Sequence, residues 1–170
     1  MKKIYFLLCL LFTCFINSQE NANPLVIFNA ENIGYKSLEE ILKPIKQEDI
    51  AILSVLKENG LEKYGSNSGV VVITTKKFIV DKFYKNIIAN SELKKKIPTA
   101  ESLAKIGIIG SKAENKNQPY DELAKYININ LDENQVQKIA SISFIEPSVA
   151  LQMNPDWKFG AIEIMSTMDR

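Results

Sequence analysis

Residues 49–77 read DIAILSVLKENGLEKYGSNSGVVVITTKK, and this stretch decides the fold. Residues 50–56 and 70–75 are short runs of Ile, Val, Leu and Thr, side chains that suit a pleated, half-buried surface. Between them, residues 60–63 suggest one helical turn. Tyr64-Gly65 then reads as a turn motif in which Gly65 takes a positive φ and the Tyr64 ring packs on the sheet edge. Gly69 lets the chain enter the following strand closely. The stretch is therefore strand, turn, glycine-bounded loop, strand.

Upstream, Leu25, Val26, Ile27 and Phe28 form another short apolar strand. Ser37 starts a helix, and Ser37 with Glu40 makes a capping box. Leu38, Ile41 and Leu42 give that helix its apolar face, and Pro44 closes it. Downstream the same order returns. Residues 106–109 form a strand, residues 111–118 a polar loop, and Pro119 the first residue of a helix running to Ile127. Residues 139–145 form the second strand, 148–153 the turn, and 161–165 the third strand. IAILSVLKE (50–58) lies over IASISFIEP (139–147) without gaps, and Gly69 over Gly160 with two extra residues in the second loop.

This order predicts an α/β (α+β) protein of two tandem β-α-β-β units, with mixed sheet and a linking helix. The boundaries are a signal segment over 1–18, unit one over 19–77, a linking helical segment over 78–104 and unit two over 105–170. In unit two, Ala140, Ile142 and Phe144 alternate with Ser141 and Ser143, and Ile162 and Ile164 flank Glu163. A period of two marks one covered and one polar face. The matching inward residues of unit one are Leu53, Val55, Val71 and Ile73. Its outer face carries Ile52, Val70 and Val72, which is apolar too. Either a helix of the chain covers them or they form an interaction surface for another protein.

In the linking segment, Ile79, Phe83 and Ile87 recur every fourth residue, as do Val80, Tyr84 and Ile88. Asn90-Ser91 can interrupt this helix, and Pro98 ends it. It is the natural layer to cover the sheets. Lys94, Lys95 and Lys96 suit a solvated helix end.

Lys2 and Lys3 precede an apolar run over residues 4–16, and polar residues follow from Asn17. This is the pattern of a secretory signal peptide, with cleavage expected near Ser18–Gln19. Cys9 and Cys14 lie in the run without the small residues of a lipobox, so ordinary secretion is expected. Removal of that segment takes both cysteines, and with them any disulfide. It lowers the 21 basic residues to 19 against 20 acidic ones. A near-neutral chain offers no footprint for nucleic acid, and no later apolar run is long enough to span a bilayer.

The chain has no histidine. A Ser-His-Asp triad and the usual structural zinc set are therefore out of reach. Asp49, Asp121 and Glu122 read as caps and first-turn charges rather than acid–base groups. No catalytic residue, metal ligand or cofactor site is expected. Trp157 and Phe159, in NPDWKFG, either anchor a partner or a glycan ring, or fold back onto the core.

Several of these residues together resemble the plug domain of TonB-dependent outer-membrane receptors of the glycan-importing type. They are Pro24 to Phe28, Asp49-Ile50, Val55-Leu56-Lys57, Tyr64-Gly65-Ser66, Gly69-Val70 and Ile73-Thr-Thr-Lys-Lys77. The resemblance covers residues 24–77. Asn29-Ala30 stands where the family has Asp-Gly, and in unit two Met153-Asn154 stands for Tyr-Gly and Met165-Ser166 for the Thr pair. The resemblance implies a plug-like fold in a Gram-negative envelope. It does not carry over transport, since no barrel follows in these residues. The expected function is a non-catalytic, secreted or periplasmic interaction or accessory module whose partner is another envelope protein. The alternative is a small-ligand or glycan-binding protein using the Trp157 loop.

Overall fold

The structure, a computed structural model, describes residues 23–56, 63–110 and 119–167. The signal segment, the 57–62 part of the first turn and the polar loop 111–118 lie outside the described residues. Seven strands in two mixed sheets and five α-helices make up an α+β fold among the described residues.

Strand β1 (Leu25–Phe28) turns tightly into β2 (Glu31–Tyr35), a strand the sequence reading did not contain. Asn29 and Ala30 form the turn with φ of 49° and 60°. Two successive positive φ values match the turn that suits a twisted antiparallel hairpin. Asn29-Ala30 thus takes the conformation that Asp-Gly would take more easily. The Asn29 side-chain oxygen also accepts hydrogen bonds from the Thr75 N–H (2.9 Å) and the Thr75 hydroxyl (3.2 Å). This ties the hairpin to the end of the strand that pairs with β1 in parallel, residues 70–75.

Helix α1 (Leu38–Leu42) follows, then β3 (Ile50–Leu56) and β4 (Val70–Thr75). Ser37 occupies the N-cap position with extended backbone, but its side chain makes no cap bond, so the expected capping box does not form. The first sheet runs β2-β1-β4-β3, with β1 parallel and β3 antiparallel to β4. The second sheet, from β5 (Gly107–Ile109), β6 (Ile139–Ile145) and β7 (Ala161–Ser166), runs β5-β7-β6 with the same senses.

The match between units extends to register. Leu56 faces Val70 and Leu53 faces Ile73, while Ile145 faces Ala161 and Ile142 faces Ile164. Each second strand carries an irregularity at the same place, between Ile50 and Ile52 and between Ile139 and Ser141. Each first strand is tied by the same bond: Leu25 N–H to the Gly69 carbonyl (3.1 Å) and Gly107 N–H to the Gly160 carbonyl (2.9 Å). Both acceptor glycines have positive φ, 80° and 95°.

Between the sheets, α2 (Lys76–Phe83) is N-capped by the Thr75 hydroxyl, which accepts from the Phe78 N–H. It runs on as a π turn over Tyr84–Ile88, closed by the Ala89 N–H on the Tyr84 carbonyl (2.8 Å). That extra residue shifts the apolar stripe, so Ile88 is buried and Ile87 only half-buried. Ser91 donates to the Ile88 carbonyl and ends the run, where the sequence suggested an interruption. Helix α3 (Ala100–Leu103) leads into β5, and α4 (Pro119–Ala124) begins on its proline as expected. Helix α5 (Pro147–Met153) replaces the expected turn.

The main core joins Ile79, Phe83, Ile88, Leu123, Ile162 and Ile164, so α2 and α4 cover one face of the second sheet. Fully burying one such side chain contributes about 1.5–3 kcal/mol relative to leaving it exposed. In the first sheet, α1 covers Val26, Val71 and Ile73. Ile142 and Phe144 face inward and Ser143 outward, as read from the sequence. Ala140 does not: the irregularity in β6 turns it out and puts Ile139 against the core. Leu53 and Val55 share a face with Ile73 and Val71 but are exposed. Helix α1 has five residues and packs over β1 and β4, which leaves the β3 flank uncovered.

Candidate functional site

Ile52, Val70 and Val72 do not form an open interaction surface. Val70 is 0% and Val72 2% exposed, in a cluster with Leu25 and Ile27 closed by Leu56 and Tyr64. Ile52 packs against the main core. A strand at the centre of the sheet is buried on both faces, which explains the continuous apolar run of β4. That run was open to either reading, and burial within the chain corrects the docking one.

An exposed apolar surface of the first sheet lies on the opposite face. Leu53 is 56% and Val55 58% exposed, on an edge strand of the first sheet. Their register equivalents in the second sheet are Ile142 and Phe144. Those two are packed against the main core, and the Lys96 ammonium lies 5.9 Å from the Phe144 ring centre. Lys96 is held there by an ion pair to Glu146 at 2.7 Å. The linking segment thus roofs the β6 flank, and nothing among the described residues roofs the β3 flank.

Trp157 and Phe159 are not brought together as a ligand platform. The Trp157 ring lies flat on β5, where a Cβ on Gly107 would sit 2.3 Å from it. Trp157 is half-buried, and only Phe159 is open, at 61% exposure. Tyr64 has the matching position in the first unit, packed on the cluster of Leu25 and Val70. The structural counterpart of Tyr64 is therefore Trp157, not Met153. A small Gly107–Ala161 pair under a large indole replaces a large Leu25–Val70 pair under a phenol.

The Tyr64-Gly65 turn has a further role that spacing could not show. Gly65 has φ 68°, and the Ser66 hydroxyl donates to the Gly69 carbonyl at 2.8 Å, which holds the loop. This aims Tyr64 at the second unit, where its hydroxyl donates to the Asn130 carbonyl at 2.7 Å. Beside it, Lys63 pairs with Asp132 at 2.5 Å. The hydrogen bond from the Lys63 ammonium holds the Asp132 carboxyl below the usual carboxylate range.

Behind this clamp is a cleft of about 290 Å³. Ile52 of the first unit and Ile129 and Val136 of the second give it apolar walls; Asp121, Lys125 and Asn130 bring polar groups. Burial pushes the Asp121 carboxyl up, opposed by the Lys125 charge. A second hollow of about 360 Å³ lies between α2 and α3, with Lys76 over the Tyr120 ring and Lys77 paired to Asp81. Among the described residues, no group of three His, Cys, Asp or Glu side chains is placed to hold a metal ion, and no helix is long and apolar enough to cross a membrane. No family model, curated protein or solved structure matches the chain.

Proposed function

We propose that this protein is a non-catalytic, exported interaction module, related to the plug domains it resembles, that binds an amphipathic helix of another envelope protein. One observation carries the reading: Leu53 and Val55 are bare while their equivalents Ile142 and Phe144 lie under the linking segment. The second unit offers a guide to what such a face accepts, namely a largely helical segment that brings apolar side chains into the same cluster and a lysine over the Phe144 ring. A partner helix laid beside α1 would complete the first unit in the same way, as amphipathic helices fill apolar grooves. Export rests on the Lys2-to-Gln19 signal pattern. The absence of histidine from the chain removes the side chain most often used for acid–base catalysis at neutral pH.

A photo-activatable residue tests the surface in the cell envelope. Placed at Leu53, it should cross-link to one discrete partner. Placed at Ser143, exposed on the other edge strand, it should not. Equal cross-linking from both positions, or none from Leu53, would overturn the reading.

A further inference from the structure

The inter-unit cleft is independent of the bare sheet face, and its charges do not cancel. Lys125 is satisfied by Glu122 (2.5 Å), which also accepts from the Tyr126 hydroxyl at 3.0 Å. Asp132 is satisfied by Lys63. The Asn130 amide donates to Gln135 at 2.6 Å and accepts from the Asp132 N–H at 3.3 Å. Asp121 is different. It is half-buried on the cleft wall and makes no hydrogen bond or ion pair among the described residues. With the two ion pairs neutral, the described residues leave the cleft one net negative charge, at Asp121, offset only by the field of the paired Lys125, above an apolar floor of Ile52, Ile129 and Val136. A desolvated carboxylate without a partner is costly, and a cation of matching shape relieves it.

We propose that this cleft binds a small organic cation, an alkylammonium whose charge meets the Asp121 carboxylate and whose stem lies on Ile52, Ile129 and Val136. The chemistry of the lining favours this class. Of the two carboxylates in the lining, Asp132 is taken by Lys63, which leaves Asp121 as a poor home for a divalent ion that takes six or more oxygens. An anion would meet Asp121 unpaired, since Lys125 is already engaged. The volume is at the lower limit for small-molecule sites, so the ligand is a small molecule and not a peptide. The clamp from Tyr64 and Lys63 fixes both walls, so the cleft is preformed.

The test is a titration of the 15N-labelled protein with butylammonium chloride and, separately, with sodium butyrate at neutral pH. Butylammonium should give saturable shifts of the Ile52, Ala124, Ile129 and Val136 amides. The dissociation constant should be on the order of millimolar, as befits so few ligand atoms. Butyrate should give none. Asp121→Asn should weaken butylammonium binding about tenfold or more, the scale set by losing one charge-assisted contact, with no loss of melting temperature. Equal shifts with both salts would overturn the proposal, as would no saturable shift with butylammonium. Wild-type affinity in Asp121→Asn would also overturn it. The comparison of the two salts on the wild-type protein does not depend on any variant folding.

Discussion

The Tyr64 hydroxyl donates to the Asn130 backbone carbonyl at 2.7 Å, joining a turn of the first unit to a loop of the second. That loop is itself bent, with Leu131 at φ 61° and the Asp132 N–H held by the Asn128 side chain at 3.1 Å. Tyr64→Phe keeps the ring on its cluster and removes only the donor. It should lower unfolding free energy by roughly 0.5–1.5 kcal/mol, the net contribution of one hydrogen bond. Urea denaturation checks this, and an unchanged midpoint would show that water replaces the hydroxyl freely.

The neighbouring ion pair makes the same junction sensitive to acid. Asp132 has a depressed pKa in the folded state because Lys63 hydrogen-bonds its charged form. Its contribution is therefore present above the unfolded-state value of about 3.9 and is lost as pH falls through the lower folded value. Lys63→Met should melt below the wild type at pH 7, and the gap should close as pH drops below about 4. A gap that stays constant down to pH 2 would contradict this assignment.

Trp157 is the only tryptophan, and it covers Gly107. Gly107→Ala places a methyl in the space of the ring, so the indole must leave. Fluorescence emission should move to longer wavelength, and stability should fall by about 1–3 kcal/mol, the usual cost of overpacking. Unchanged emission would mean that the indole does not pack on β5.

Ala30 stands at φ 60° in the β1–β2 turn. A left-handed conformation costs an L-residue about 1–2 kcal/mol, which glycine does not incur. Part of that gain is offset by the greater freedom of glycine in the unfolded chain. Ala30→Gly should therefore raise stability by roughly 0.5 kcal/mol. A lower denaturation midpoint would be inconsistent with the turn described.

Most strands were legible because β-branched runs bounded by glycine or proline leave few alternatives. The two-unit order was legible because the 50–58 and 139–147 segments align without gaps, and, β2 aside, both sheets have the same strand order. Strand β2 was missed because ENIGY has little apolar character and only the Asn29-Ala30 turn hints at a hairpin. The face of β4 was misjudged because an all-apolar run says that both faces are covered without saying by what. Leu53 and Val55 look like core residues in sequence; only the short reach of α1 exposes them. The Tyr64–Asn130 and Lys63–Asp132 contacts join residues far apart in sequence, and no local pattern encodes them.

One paired measurement addresses the central claim, that the working face is the Leu53 side and the Val72 side is core. Leu53→Lys and Val72→Lys are compared for unfolding midpoint and for recovery of the partner that cross-links at position 53. Leu53→Lys should unfold within about 0.5 kcal/mol of the wild type, as exposed substitutions do, and should lose the partner. Val72→Lys buries an unpaired charge and should cost several kcal/mol or prevent folding. The account is contradicted if Val72→Lys folds like the wild type, or if Leu53→Lys recovers the partner undiminished.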